Sequence, residues 1–198
     1  MSSDILPGMI ATLLLALAQP DTAYRPDCSY DLEAMLALDR DDFDQDMNGG
    51  WRPLGQIEGC EEATAELIRE WRYEKRDHST ILYWHEGQMR AYAGQTQQAI
   101  ALFKLTYKSA DDDADFGWNQ YVDGTIAFLE RDRGALDAAI ERLKGVPEPE
   151  NNSFTRPDGT VIKMRWPPNL NVLEGFAKCW GKPYKEAYGS DCTAPLSM

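Results

Sequence analysis

The sequence predicts an all-α fold: a short α-solenoid of antiparallel helical hairpins, with an irregular N-terminal hairpin and a C-terminal loop plus capping helix. Three observations predict it. Apolar residues recur at helical spacing from Ile81 to Leu143, small residues mark points where backbones must come close, and glycines end the apolar runs. The pattern is also written twice. Leu82, Gly87, Gly94, Ala99, Ile100 and Phe103 return forty residues later as Val122, Ala127, Gly134, Ala139, Ile140 and Leu143. Size classes repeat with the spacing, as expected for stacked units that cannot bury an apolar face alone.

At the start of the chain, Met9 to Ala18 reads MIATLLLALA and ends in Ala16-Leu17-Ala18 before the polar Gln19-Pro20-Asp21. A run of this length is too short to span a bilayer and has the size of a signal-peptide core, so residues 1–18 are read as a signal peptide. The flank holds Asp4 and no Lys or Arg, leaving the α-amino group as its positive charge. A first solenoid helix is the competing reading, and the missing polar face opposes it.

Residues 19–198 then form a single domain. After an extended lead-in, Asp31 to Leu38 gives a short helix, and the acidic Asp39 to Asn48 is broken by Gly49-Gly50. Trp51 to Ile57 carries Pro53 in a first helical turn, where a missing amide is harmless. Cys60 to Tyr73 spaces Ala63, Leu67 and Trp71 four apart, making a further helix. The first clear repeat, 80–108, pairs Thr80–Ala93, capped by Asp77 or Ser79, with a helix from Thr96 to about Lys108. The second, 115–144, pairs Asp115–Arg131 with Ala135–Lys144. Pro147 opens a proline-rich loop to residue 168, with an extended piece at Thr160–Met164. The cap, 169–192, begins with Asn169 as N-cap, continues with a stripe of Leu170, Leu173, Phe176, Ala177 and Trp180, and uses Tyr184–Tyr188 to cover the open end.

The phrase YWHEGQMRAYAGQTQQAIALF, Tyr83 to Phe103, resembles the tetratricopeptide repeat, with small, turn, small and large aromatic residues at Gly87, Gly94, Ala99 and Phe103. The resemblance covers 80–144 well, 44–75 poorly and the ends not at all. The second copy departs from it, with Ala127 in place of the glycine and a longer link between copies. FDQDMNGGW, LYWHEG and WPPNL also resemble an exported bacterial family of this type, which carries no known activity with it. A tetratricopeptide-like fold implies a binding surface and no chemistry of its own.

Composition narrows the partners. Hydrophobic residues at 43% and aromatics at 11% mark a folded globular chain, and a net charge of −13 repels nucleic acid and anionic membrane surfaces. Neither nucleic acid nor stable membrane insertion of the mature chain is expected. Cys28, Cys60, Cys179 and Cys192 form no CxxC pair, so a zinc ribbon or thioredoxin-like motif has no support. In an exported protein they are candidate disulfides, and the economical pairing is Cys28 with Cys60 and Cys179 with Cys192. Three connectivities stay open. Location is periplasmic or secreted on these grounds.

Motifs for chemistry are weak. Asp44, Asp46, Asn48 and Gly49 match the opening of a calcium loop, but Gly55 stands where the bidentate Glu belongs, so a solvated turn is expected. His78 and His85 lie seven apart without a third ligand, and a polar contact is the reading for each. No GxSxG, HExxH or dinucleotide fingerprint is present, and no catalytic, cofactor or metal residue is assigned.

The sequence therefore points to a non-catalytic scaffold for a protein or peptide. A small enzyme with a pocket between the repeats and the C-terminal loop, and a homo-oligomeric assembly factor, are the alternatives. If the first helix of each hairpin lines the inner face, Trp84, Gln88 and Tyr92 share a side with Tyr121, Phe128 and Arg131, the candidate partner-binding face. Arg131 would then meet a carboxylate. The opposing reading places the same aromatics in the core, under the loop through Trp166 and the helix from Leu170.

Overall fold

Side-chain caps open some of the helices in the computed structural model, which describes residues 26–156 and 158–194, but the Asp77 or Ser79 cap expected for the helix from Thr80 is not formed. The predicted signal peptide lies outside the described residues. Asp31 accepts a hydrogen bond from the Ala34 amide and opens α1, Leu32–Ala37. A π-helical turn, Asp41–Gln45, and α2, Arg52–Gly55, lead to the long α3, Glu61–Lys75. Next come α4, Thr80–Tyr92, and α5, Thr96–Lys104. Gly94, at φ +75°, makes the left-handed turn between them.

The second hairpin starts later than predicted. A separate turn, α6, Ala110–Asp113, intervenes, and the Asp113 carboxylate accepts from the Trp118 and Asn119 amides to open α7, Trp118–Glu130. Its turn also differs from the first. Arg131 takes the left-handed conformation at φ 61°, Asp132 caps α8, Arg133–Lys144, and Gly134 falls inside that helix. The role assigned to Gly134 thus belongs to Arg131. α5 stops at Lys104, short of Lys108, because the Thr106 hydroxyl turns back to the Phe103 carbonyl and the Thr106 carbonyl accepts from the Trp118 indole.

Beyond α8 the chain forms a small antiparallel hairpin, β1 (Ser153–Thr155) and β2 (Val161–Lys163), with Phe154 opposite Ile162. The second strand was legible as an extended piece; its partner was not. The C-terminal unit comprises α9 (Leu170–Lys178), α10 (Tyr184–Tyr188) and α11 (Ser190–Thr193). Asn169 precedes α9 in a left-handed conformation, φ 64°, and makes no side-chain cap, contrary to expectation.

The repeated size pattern shows in the packing. Ala99 and Ala139 are fully buried, as are Phe103 and Leu143. A Cβ on Gly87 would lie 2.6 Å from the Phe103 ring, so only glycine lets α4 sit this close to α5. One core cluster centres on Trp71, stacked on Phe43 at 4.6 Å; a larger one spans α4, α5, α7, α8 and α9. Tyr92 packs against both. Each large side chain buried there contributes about 1.5–3 kcal/mol. All four cysteines pair, Cys28 with Cys60 and Cys179 with Cys192, at Cα separations of 5.4 and 6.0 Å. The first bridge ties the lead-in to the start of α3, and the second ties α9 to α11.

Candidate functional site

α4 and α7 bring predicted residues toward one side, and of the two alternatives, open groove or core, the packing there matches the core. Trp84 and Tyr121 meet at 4.8 Å, and Trp84, Gln88, Tyr121 and Phe128 are buried. The C-terminal helices occupy this face. Tyr184 reaches Tyr92, Phe128 and Phe176 at 5.6, 6.2 and 5.2 Å, and the Tyr188 hydroxyl lies 3.4 Å from that of Tyr121. Apolar aromatics in a two-hairpin unit leave too much surface exposed, and the stripe on α9 and α10 covers it. Burial lifts the hydroxyls of Tyr92, Tyr121 and Tyr184 above the ordinary phenol range, and neighbouring tyrosines add to the effect.

Arg131 is the exception, being exposed. Its guanidinium donates to the Trp180 carbonyl at 2.7 Å and to the Lys182 carbonyl at 3.3 Å. It holds the chain's own carbonyls.

The acidic segment predicted as a solvated turn is partly interior. Asp44 is fully buried and accepts from the Trp51 indole at 2.8 Å, the Gln45 amide at 2.5 Å and His85 Nδ1 at 2.6 Å. Burial alone would raise the Asp44 carboxyl; the hydrogen bond and charge of His85, with Trp51 and Gln45, outweigh it and leave it below its ordinary 3.8. Its inward position removes it from the calcium-loop ligand set. The two histidines diverge, since His78 Nδ1 pairs with the Tyr83 hydroxyl at 2.9 Å. Among the described residues no three His, Cys, Asp or Glu side chains cluster as metal ligands.

A charged network beneath the α3–α4 packing escaped the sequence reading. Arg72, stacked over the Tyr83 ring at 3.8 Å, pairs with Glu86; Arg90 joins Glu66 at 2.6 Å, and Glu66 also holds Arg69. Burial pushes the Glu86 carboxyl above its ordinary value against the pull of Arg72 and Arg90. The i, i+4 spacing of Glu86 and Arg90 was a visible signal, but spacing does not show which face of a helix is buried. Above this network lies a cleft of about 220 Å³ between α3, α4 and α5, lined by Arg69, Tyr73, Tyr83, Leu102 and Leu105. Tyr73 and Leu105 are 67% and 56% exposed. Ion pairs lie below the cleft and exposed apolar groups above it.

No known protein family, curated protein or solved structure matches the chain.

Proposed function

We propose that the protein is a tetratricopeptide-like helical scaffold that binds a protein or peptide in an exported compartment. Docking uses the α3–α4–α5 cleft, because the α4–α7 face is occupied by the chain itself. The observation that carries the reading is the exposure of Tyr73 and Leu105 beside Tyr83 and Arg69, because Tyr and Arg are residue types enriched in interface hot spots. The Arg72–Glu86 and Arg90–Glu66 pairs hold the cleft floor in shape before a partner arrives, which limits the entropy lost on binding. Two disulfides fit an oxidising compartment, and among the described residues no helix is long and apolar enough to cross a membrane.

A displayed random-peptide library tests this. The wild type should enrich one sequence class, and Tyr73→Ser with Leu105→Ser should abolish the enrichment at nearly unchanged melting temperature, since both side chains are exposed. Equal enrichment by the double variant, or none by the wild type, would overturn the assignment.

A further inference from the structure

A second cavity lies elsewhere, between α8 on one side and α9 with α11 on the other. It measures about 670 Å³, within the range of roughly 300–1,000 Å³ usual for small-molecule pockets. Ile140, Ala177 and Cys192 give it an apolar floor, with Ala194 at the rim. The Cys179–Cys192 bridge fixes α11 against α9, so this wall is in place before any ligand binds.

The charges around it are unequally matched. Asp137 is met by Arg133 at 2.9 Å, and Glu141 and Glu174 share Lys144 at 3.0 and 3.8 Å. Two cations remain. Lys178 donates to the Asp191 carbonyl at 2.9 Å but has no carboxylate within ion-pair distance among the described residues, and Arg165 has neither an ion pair nor a side-chain hydrogen bond among them. With Asp137 held by Arg133, and Glu141 and Glu174 by Lys144, Lys178 and Arg165 are the lining cations left without a carboxylate partner among the described residues. An anionic head would find partners at Lys178 and Arg165, and an apolar body would displace water from Ile140, Ala177 and the disulfide.

From this combination we infer that the α8–α9–α11 cleft is a binding site for an amphiphilic carboxylate, an apolar body carrying one anionic head. The site is independent of the α3–α4–α5 cleft and shares no lining residue with it.

Titration calorimetry with dodecanoate below its micelle-forming concentration tests the assignment, with dodecyltrimethylammonium as the same tail under the opposite charge. Saturable one-to-one binding of dodecanoate is expected, with the cation binding at least tenfold more weakly. Arg165→Gln with Lys178→Gln should weaken dodecanoate about tenfold, both groups being partly solvated. Ala194→Trp, at an exposed position of the rim, should block the cleft and abolish binding. Absence of saturable binding, equal affinity for the two amphiphiles, or indifference to the double charge variant would each overturn the inference. Should Ala194→Trp fail to fold, judged by circular dichroism, the charge variant decides alone.

Discussion

Arg131 Nη1 donates to the Trp180 carbonyl at 2.7 Å, joining the turn after α7 to the end of the C-terminal helix stripe. Arg133 does the same one turn away, donating to the Ala177 carbonyl at 3.0 Å while its guanidinium lies 5.6 Å from the Trp180 ring. Arg133 thus supplies a donor to a last-turn carbonyl of α9, at the negative end of its dipole, while Arg131 holds the segment that leaves the helix. Arg131→Ala should therefore lower stability by about 1–2 kcal/mol in a denaturant melt. Because Arg131 is at φ 61°, Arg131→Gly relieves backbone strain that Ala retains, and should be the more stable variant by about 1 kcal/mol. The reverse order would show that the positive φ at this position imposes no strain, and an unchanged stability of Arg131→Ala would show that the guanidinium contributes little.

Tyr184 makes a second test of how firmly the C-terminal unit is attached. Its ring is buried among Tyr92, Phe103, Phe128 and Phe176, on helices from both hairpins and α9. Tyr184→Ala leaves a cavity there and should cost about 3–5 kcal/mol. A loss under 1 kcal/mol would mean that α10 is a detachable cover and that the α4–α7 face is available to a partner.

How much of this was legible depended on whether a signal was local. The presence of the main helices and the size classes of Ala99, Phe103, Ala139 and Leu143 follow from periodicity within single helices, and the gathering of Trp84 and Tyr121 follows from stacking the two copies. Whether their shared face was open or closed did not follow, because that depends on where α10 lies, about a hundred residues after α4. The Asp44–His85 contact failed to register for a related reason. An acidic run with a glycine break reads as a surface turn, and only the distant His85 and Trp51 reveal that one of its carboxylates points inward.

The disulfides enclose segments of unequal length, with sequence separations of 32 and 13. By the loop-entropy estimate both stabilise by roughly 3–4 kcal/mol, with the longer loop contributing slightly more. Reduction of the folded protein should lower the melting temperature by many degrees. Cys28→Ser with Cys60→Ser should do so at least as strongly as Cys179→Ser with Cys192→Ser. Thermal melts of the two double variants, with intact-mass confirmation of the remaining bridge, measure the order; unchanged melting in both would refute the contribution.

Asp44 gives the fold an acid-sensitive joint between the N-terminal segment and α4. Its carboxyl lies below the unfolded value of 3.8, so the folded state binds this proton less tightly than the unfolded chain does. Stabilisation from the charged form is complete above that value and is lost as pH falls through the lower, folded one. Glu61 and Glu66 are lowered as well, through Lys185 and through Arg90 and Arg69, so acid unfolding of the wild type alone does not isolate Asp44. The difference between wild type and Asp44→Asn does. Asn keeps an acceptor for the Trp51 indole but gives up the charge facing His85, and the variant should be less stable by about 1–3 kcal/mol above about pH 5. That gap should then narrow as pH falls below 3.8, because protonation brings the wild-type side chain to the same neutral state. Denaturant melts of both proteins at stepped pH read the gap directly; one that stays constant or widens in acid would show that the Asp44 charge does not stabilise the native state.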